Sequence, residues 1–358
     1  MNRLVKLCFF LLVCGGVLSA RPFPAHAGPL DPYIQAAQKE AAVRIGVTLR
    51  NKVSGKPAGE LYMAAFQKRY PFLKVEFKRI GGAQERERVT TEMSAGMFNY
   101  DVVTVGTPMI PTVVSAKLPR VVEWEKLGVP KFLIHPDNIG ISLRTPVFGI
   151  AYNRDLVPDT VAETFTWETC TDPKWKGKGA VDDRPRHLAE FYPDEVWGRG
   201  KTLDYAKRWA ANNLAVESSR STASAKLMSG AYHIICGMPR RQIKDLQVYA
   251  GAKSVGIVFP EPVPVGVGDF VYVPDKARHA AAGVVFLVWS SSHEAQDLLD
   301  QVDFSGHPNF EGNEVNRVLK GKKVAYGTWG AIDGQEQILV ETLQAMGMPV
   351  VRSQRKKK

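Results

Sequence analysis

Between residues 43 and 106 the chain switches hydrophobic period four times, and that alternation restricts the fold more than any other feature. Residues 43–49 form an apolar β-type run, followed by a stretch with Tyr62, Ala65, Phe66 and Tyr70 at helical spacing that stops at Pro71. Residues 73–80 then alternate with period two, Gly81 and Gly82 turn the chain, and Val89, Met93 and Met97 mark the stripe of a second helix before a strand at 100–106. Alternation puts neighbouring side chains on opposite faces of a strand, whereas a period of about 3.6 gathers them on one face of a helix. Strand, helix, strand, helix, strand at this spacing predicts βαβ units, and so an α/β fold with right-handed crossovers.

The logic resumes after residue 144. An apolar run at 147–152, bounded by Pro146 and Asn153, reads as a buried strand crossing into a second unit. That unit carries a strand at 179–183, a helix at 201–214, a segment 215–218 leading into a helix capped by Ser221 or Thr222, and a strand at 232–237. The Pro- and Gly-rich segment 259–269 leads into a strand at 270–273 and reads as the second crossing, followed by helices at 277–289 and 293–302 and a last helix at 334–346. His279 and His293 fall on polar helical surfaces and are expected in solvent, and Asp182 and Asp183 at a strand-end turn. The expectation is two lobes with mixed, mostly parallel sheets flanked by helices and joined by two crossings. Residues 28–143 and 268–304 make lobe one and 144–267 lobe two, with a C-terminal helical segment at 305–351 whose lobe is not readable and a basic tail at 352–358.

The N-terminus bears on compartment. Arg3 and Lys6 precede an apolar run at 7–18 that is too short to span a bilayer, and Ala25-His-Ala27 is a small-x-small cleavage site. Residues 1–27 are therefore expected to leave as a signal peptide. Of the formal charge of +11, Arg3, Lys6 and Arg21 belong to this leader and five positives to the tail, so the body is only mildly basic. Nucleic-acid binding is disfavoured by that balance and by export. Cys8 and Cys14 leave with the leader; Cys170 and Cys236 remain, either as a disulfide or as two buried thiols.

Catalytic patterns are poor. The sequence has no G-x-S-x-G elbow, phosphate-cradling G-x-x-x-x-G-K-[ST] loop or H-E-x-x-H, and Gly266-Val-Gly268 lacks the third glycine of a dinucleotide fingerprint. No enzymatic activity, cofactor or metal site is expected.

Several stretches together resemble a known family. Tyr152-Asn153 with Leu156-Val-Pro158, then Thr166-Trp-Glu168, then Asp-Pro-Lys-Trp-Lys-Gly-Lys at 172–178, is similar to the extracellular solute-binding proteins of bacterial ABC importers, in their ferric-ion and polyamine-like branch. Gly81-Gly-Ala-Gln84 and the helix behind it, and Phe-Leu-Val-Trp-Ser-Ser-Ser-His-Glu-Ala-Gln at 286–296, extend the resemblance over most of the chain. It implies a type II periplasmic-binding-protein fold, a periplasmic location, a small-molecule ligand held between the lobes, and delivery by a monomer to a permease and ATPase complex. Ferric-ion binders of this branch use two adjacent tyrosines, and no Tyr-Tyr pair occurs here.

In a parallel sheet, ligands collect beyond the carboxyl ends of the strands. In lobe one that singles out Thr48, Arg50, Gly81, Gly82, Ala83, Gln84 and Thr107, with the glycine pair allowing close backbone approach. In lobe two it singles out Arg184, Arg186, Ser219, Arg220, Ser221 and Arg240, with Arg241 beside them. Guanidinium forks match carboxylate and phosphate oxygens, so the expected solute is a small anion. An enzyme on the same fold, or a solute sensor for a chemoreceptor or histidine kinase, are the alternative functions.

Overall fold

Helix α1 (Asp31–Glu40) leads into β1 (Ala42–Val47), α2 (Ala58–Arg69), β2 (Lys74–Arg79), α3 (Ala83–Ser94), β3 (Val102–Val105), α4 (Ile110–Ser115) and β4 (Ile141–Ser142). These come from a computed structural model that describes residues 28–49 and 58–350; the expected leader, Arg50 and the basic tail lie outside the described residues. β1 lies between β2 and β3, parallel to both, as successive right-handed crossovers require. Val43, Ile45 and Val47 pack with Tyr62 and Phe66 on one face of the sheet, while Val103 and Val105 meet Val89 and Met93 on the other. Met97 departs from the expected stripe: α3 ends at Ser94, and the side chain stands in solvent.

The second unit runs β5 (Phe148–Asn153), α5 (Asp159–Ala162), β6 (Gly179–Asp182), α6 (Gly198–Ala210), β7 (Ala215–Glu217), α7 (Arg220–Met228), β8 (Ile234–Pro239), α8 (Arg240–Lys244) and β9 (Val255–Val258). Its strand order is β7-β6-β8-β5-β9, with β6 parallel to β7 and β8, and β5 antiparallel to β8 and β9. All six residues of β5 are buried, which is why its sequence is apolar without alternation. Cys170 and Cys236 are disulfide-bonded, tying the turn after α5 to β8 across a sequence separation of 66. Ser219 rather than Ser221 caps α7: its Oγ accepts from the Thr222 N–H at 3.2 Å, and Ser221 is exposed.

The chain returns through β10 (Val263–Val265) and β11 (Phe270–Tyr272), then α9 (Ala280–Ser290), α10 (His293–Asp303), α11 (Glu314–Leu319), β12 (Val324–Tyr326) and α12 (Ile332–Ala345). β11 enters the first sheet between β3 and β4, antiparallel to both, so each sheet is parallel within its βαβ series and antiparallel where a crossing strand arrives. The two crossings lie side by side. Leu143 N–H donates to Asp269 O and Asp269 N–H to Arg144 O, both at 3.1 Å, and Gly266 N–H to Pro146 O at 3.0 Å. A Cβ on Gly268 would sit 1.4 Å from Arg144 O, so no other residue fits there. β12 pairs in parallel with β10 and adds a third strand to this connector.

α12 belongs to neither lobe alone. Near its start, Thr107 Oγ1 donates to Gln335 Oε1 at 3.2 Å in lobe one; towards its end, Glu341 accepts from Tyr192 at 3.0 Å and Arg199 at 2.8 Å in lobe two. His279 also departs from expectation. As the residue preceding α9 it reaches the start of β3, where its Nδ1 lies 2.8 Å from the buried Asp101, which Arg44 holds from the other side. His293 is exposed, its Nε2–H donating to Glu311 O at 2.6 Å.

Candidate functional site

Side chains from both sheets converge on Asp269 in the connector: Arg86 after β2, Arg186 after β6 and Arg241 after β8 all lie within electrostatic range of it. On the lobe-one side Gly81 N–H donates to Glu85 Oε2 at 2.8 Å, and Gly82 adopts φ +83°, a left-handed conformation that leads into α3. Ala83 opens the helix, and Gln84 is exposed at its first turn. Thr48 Oγ1 accepts from Arg86 Nη2 at 3.1 Å, and its carbonyl accepts from Arg144 Nη1 at 2.9 Å. Thr107 is buried and committed to Gln335.

The arginines of lobe two do not form one set. Arg240 is 2% exposed and gives Nη1 to Asp300 at 2.7 Å and Phe304 O at 3.0 Å, with Nη2 3.0 Å from Glu314. It is therefore a structural ion-pair residue and is withdrawn as a ligand contact, because its charge is already spent on α10 and α11. Arg220 pairs with Asp182, and Arg184 with Asp183 at 3.0 Å. Asp182 Oδ1 also accepts from the Arg184 N–H at 2.9 Å, the strand-end turn expected of this acidic pair. Ser219 is used in capping.

Arg186 stands apart. Its side chain has no hydrogen bond or ion pair among the described residues, and it is exposed to solvent although protein crowds the guanidinium. Burial, then Arg220 and Arg184, pull its guanidinium down to about 10, with Asp182 opposing and Arg86 of lobe one adding to the fall. The guanidinium thus has no hydrogen-bond acceptor among the described residues.

The compensating acids are Asp269 and Asp303. Asp269 lies 3.2 Å from Arg144 Nη1 and 3.7 Å from Arg86 Nη2, and Arg144 Nε lies 3.2 Å from Asp303. Burial pushes Asp269 up, but Arg144, Arg86, Arg241 and Arg186 together hold its carboxyl below the usual range. Arg86 is the residue the sequence reading missed. It follows the Gly-Gly-Ala-Gln loop in the first turn of α3, where long side chains point back towards the helix N-terminus, and that position was the available signal.

Other features do not converge here. Among the described residues no group of three or more His, Cys, Asp or Glu side chains could hold a metal ion. A surface hollow of about 460 Å³ between Pro308, Asn316, Lys320 and Tyr326 lies over α11 and β12, away from the strand mouths.

Comparisons with known proteins agree on the architecture. A structure of a Trichodesmium protein in complex with iron and citrate superposes with a TM-score of 0.67 at 20% identity, covering 86% of this chain and 100% of that one. The Mannheimia haemolytica ferric iron-binding protein A in an open conformation gives 0.66 at 18% identity, covering 86% and 98%. Iron uptake protein A1 of Synechocystis is 24% identical over 206 residues, 53% of this chain, and the match spans only 55% of that relative. The fold is thus the two-lobed α/β architecture of these binding proteins. Residues 62–311 match the model of the bacterial extracellular solute-binding proteins, and the chain belongs to that family.

Proposed function

We propose that this chain is the periplasmic receptor of an ABC importer and that it captures a small anionic solute between its lobes for delivery to a membrane permease and its ATPase. The observation that carries the anion is Arg186, a guanidinium without a partner at the mouth of the second sheet. Residues 28–143 and 268–304 form the lobe that offers Thr48, Gly81, Gly82 and Gln84; residues 144–267 form the lobe that offers Arg184, Arg186 and Arg220. The receptor acts as a monomer after cleavage of residues 1–27, and it has no catalytic role.

Family membership supports solute binding. The iron and citrate of the Trichodesmium structure favour a second reading, in which the solute is a metal ion wrapped in its own carboxylates, so that arginines meet the chelate's anionic surface. A thermal-shift screen separates the two. A ligand that binds only the folded state raises stability by RT ln(1 + [L]/Kd), about 2.7 kcal/mol at a hundredfold excess over Kd. Free citrate, phosphate or phosphonates should raise the melting temperature on the first reading, and ferric citrate but not citrate alone on the second. A shift with only polyamines or unchelated ferric ion would remove both.

A further inference from the structure

Arg86 is held in a way its neighbours are not. Nη2 donates to Thr48 Oγ1 after β1, Nη1 passes so close to Gly106 after β3 that a Cβ there would lie 3.0 Å away, and Asp269 in the second crossing lies at 3.7 Å. One guanidinium therefore spans two strand mouths of lobe one and the connector. Its neutralisation is incomplete: Asp269 sits closer to Arg144, at 3.2 Å, and Arg86 Nε is buried without an acceptor. From the opposite lobe comes Arg186, with no hydrogen-bond acceptor among the described residues, and it lies within electrostatic range of both Arg86 and Asp269, whose one negative charge is already shared by Arg86 and Arg144.

The remaining charges nearly cancel. Arg144 and Arg241 face Asp269, Asp303 and Asp245, Arg220 faces Asp182, and Arg184 faces Asp183. Bringing the lobes together thus moves Arg186 towards Arg86 and expels the water that screens them, which strengthens their repulsion. We propose, building on the anion reading above, that Arg86 is the lobe-one half of the ligand site and that the Arg86–Arg186 repulsion opposes closure until a bound oxyanion cancels it. Bound charge, more than contact area, then drives the lobes together. This adds a binding residue to the cleft and makes closure selective, because a neutral solute of the same shape leaves the repulsion in place.

The test uses the full-length mature protein, small-angle scattering, and sodium citrate and sodium phosphate as probes. Ligand-free Arg86→Met and Arg186→Met should scatter as a more compact particle than ligand-free wild type, while Arg86→Lys, which keeps the charge and loses the fork, should not. Both Met variants should bind the effective probe roughly ten- to a hundredfold more weakly, the range for losing one charge-assisted interaction. Because Arg186 makes no internal hydrogen bond, its variant carries the test even if Arg86→Met is destabilised. Wild-type-like scattering of ligand-free Arg186→Met, or unchanged affinity in a folded Arg86→Met, overturns the proposal while the anion reading stands. If neither probe nor any other oxyanion binds wild type, the anion reading itself falls.

Discussion

Arg240 and Arg186 sit at neighbouring strand mouths of the same sheet, yet one is satisfied and the other is not. Arg240 is sealed between Asp300, Glu314 and a carbonyl, all supplied from chain more than 50 residues downstream; Arg186 makes no ion pair and meets other cations, Asp182 and Asp269 only through longer-range electrostatics. The contrast sharpens four residues after Arg186. Glu190 is buried with no cation near it, and burial alone pushes its carboxyl up to about 8. Its oxygens fill the space that side chains on Gly266 and Gly327 would need, beside the connector. The same turn therefore carries a cation without an acid and an acid without a cation, and they do not pair. Position in the fold, not residue type, decides which charge finds a partner within the protein and which does not.

Breaking the satisfied arginine should produce the largest effect. Arg240→Met removes one partner of a buried ion pair and should cost about 3–5 kcal/mol in urea unfolding. Asp300, whose carboxyl burial already pushes up, can take a proton and hold the loss towards the lower end. The double variant Arg240→Met, Asp300→Leu should recover most of it, and full stability of the single variant would show that the pair holds nothing.

Removing the buried, unpaired acid should act the opposite way. Glu190 keeps its proton to about pH 8 when folded but releases it near 4.5 when unfolded, so the folded state binds more protons between those values. Stability then falls as pH rises from 4.5 to 8, by up to about 1.4 kcal/mol per pH unit, with no further loss above. His187 and His307, pulled by burial to about 3 and about 4 from 6.5, act in reverse: the unfolded chain binds the extra protons, so their contribution is lost as pH drops below 6.5. Together they place the stability maximum near pH 6.5. Glu190→Gln should abolish the alkaline decline and leave the acid one, and an unchanged alkaline limb would disprove the assignment.

Arg186→Met should leave the ligand-free unfolding free energy within about 0.5 kcal/mol of wild type, as for a side chain with no partner, while binding weakens. Equal loss of stability and affinity would return Arg186 to the structural class. The smallest effect belongs to Arg184→Ala, since that guanidinium is half exposed and already paired with Asp183; it should change affinity by less than about 1 kcal/mol. Isothermal titration of both variants against one ligand ranks them, and a larger loss at Arg184 would invert the order argued here.

Local period carried much of this fold into view. β1 through β3 were legible because each element is long enough to display its period, and with them came Thr48, Gly81, Gly82 and Thr107 as strand-mouth residues. Pairing direction was less legible: β11 looks like any short apolar run, and only its arrival through a crossing makes it antiparallel. The cap of α7 was missed by two or three residues because Ser219-Arg-Ser-Thr222 offers three hydroxyls within four residues and backbone conformation chooses among them. Arg240 was misjudged and Arg86 overlooked for one reason. What a guanidinium is doing depends on acceptors remote in sequence, and neither Asp300 nor Asp269 announces its partner.

One consequence of the C-terminal helix remains. A door hung on two adjacent hinges swings freely, but a strap fastened across its opening sets how far it travels. α12 is such a strap: it leaves the connector, takes hold of Thr107 through Gln335 on one leaf and is riveted to the other by Glu341. Lobe rotation must either carry that strap along its own arc or part the Thr107–Gln335 bond. Under the proposed closure, these contacts in the final tenth of the chain would limit how far the lobes swing.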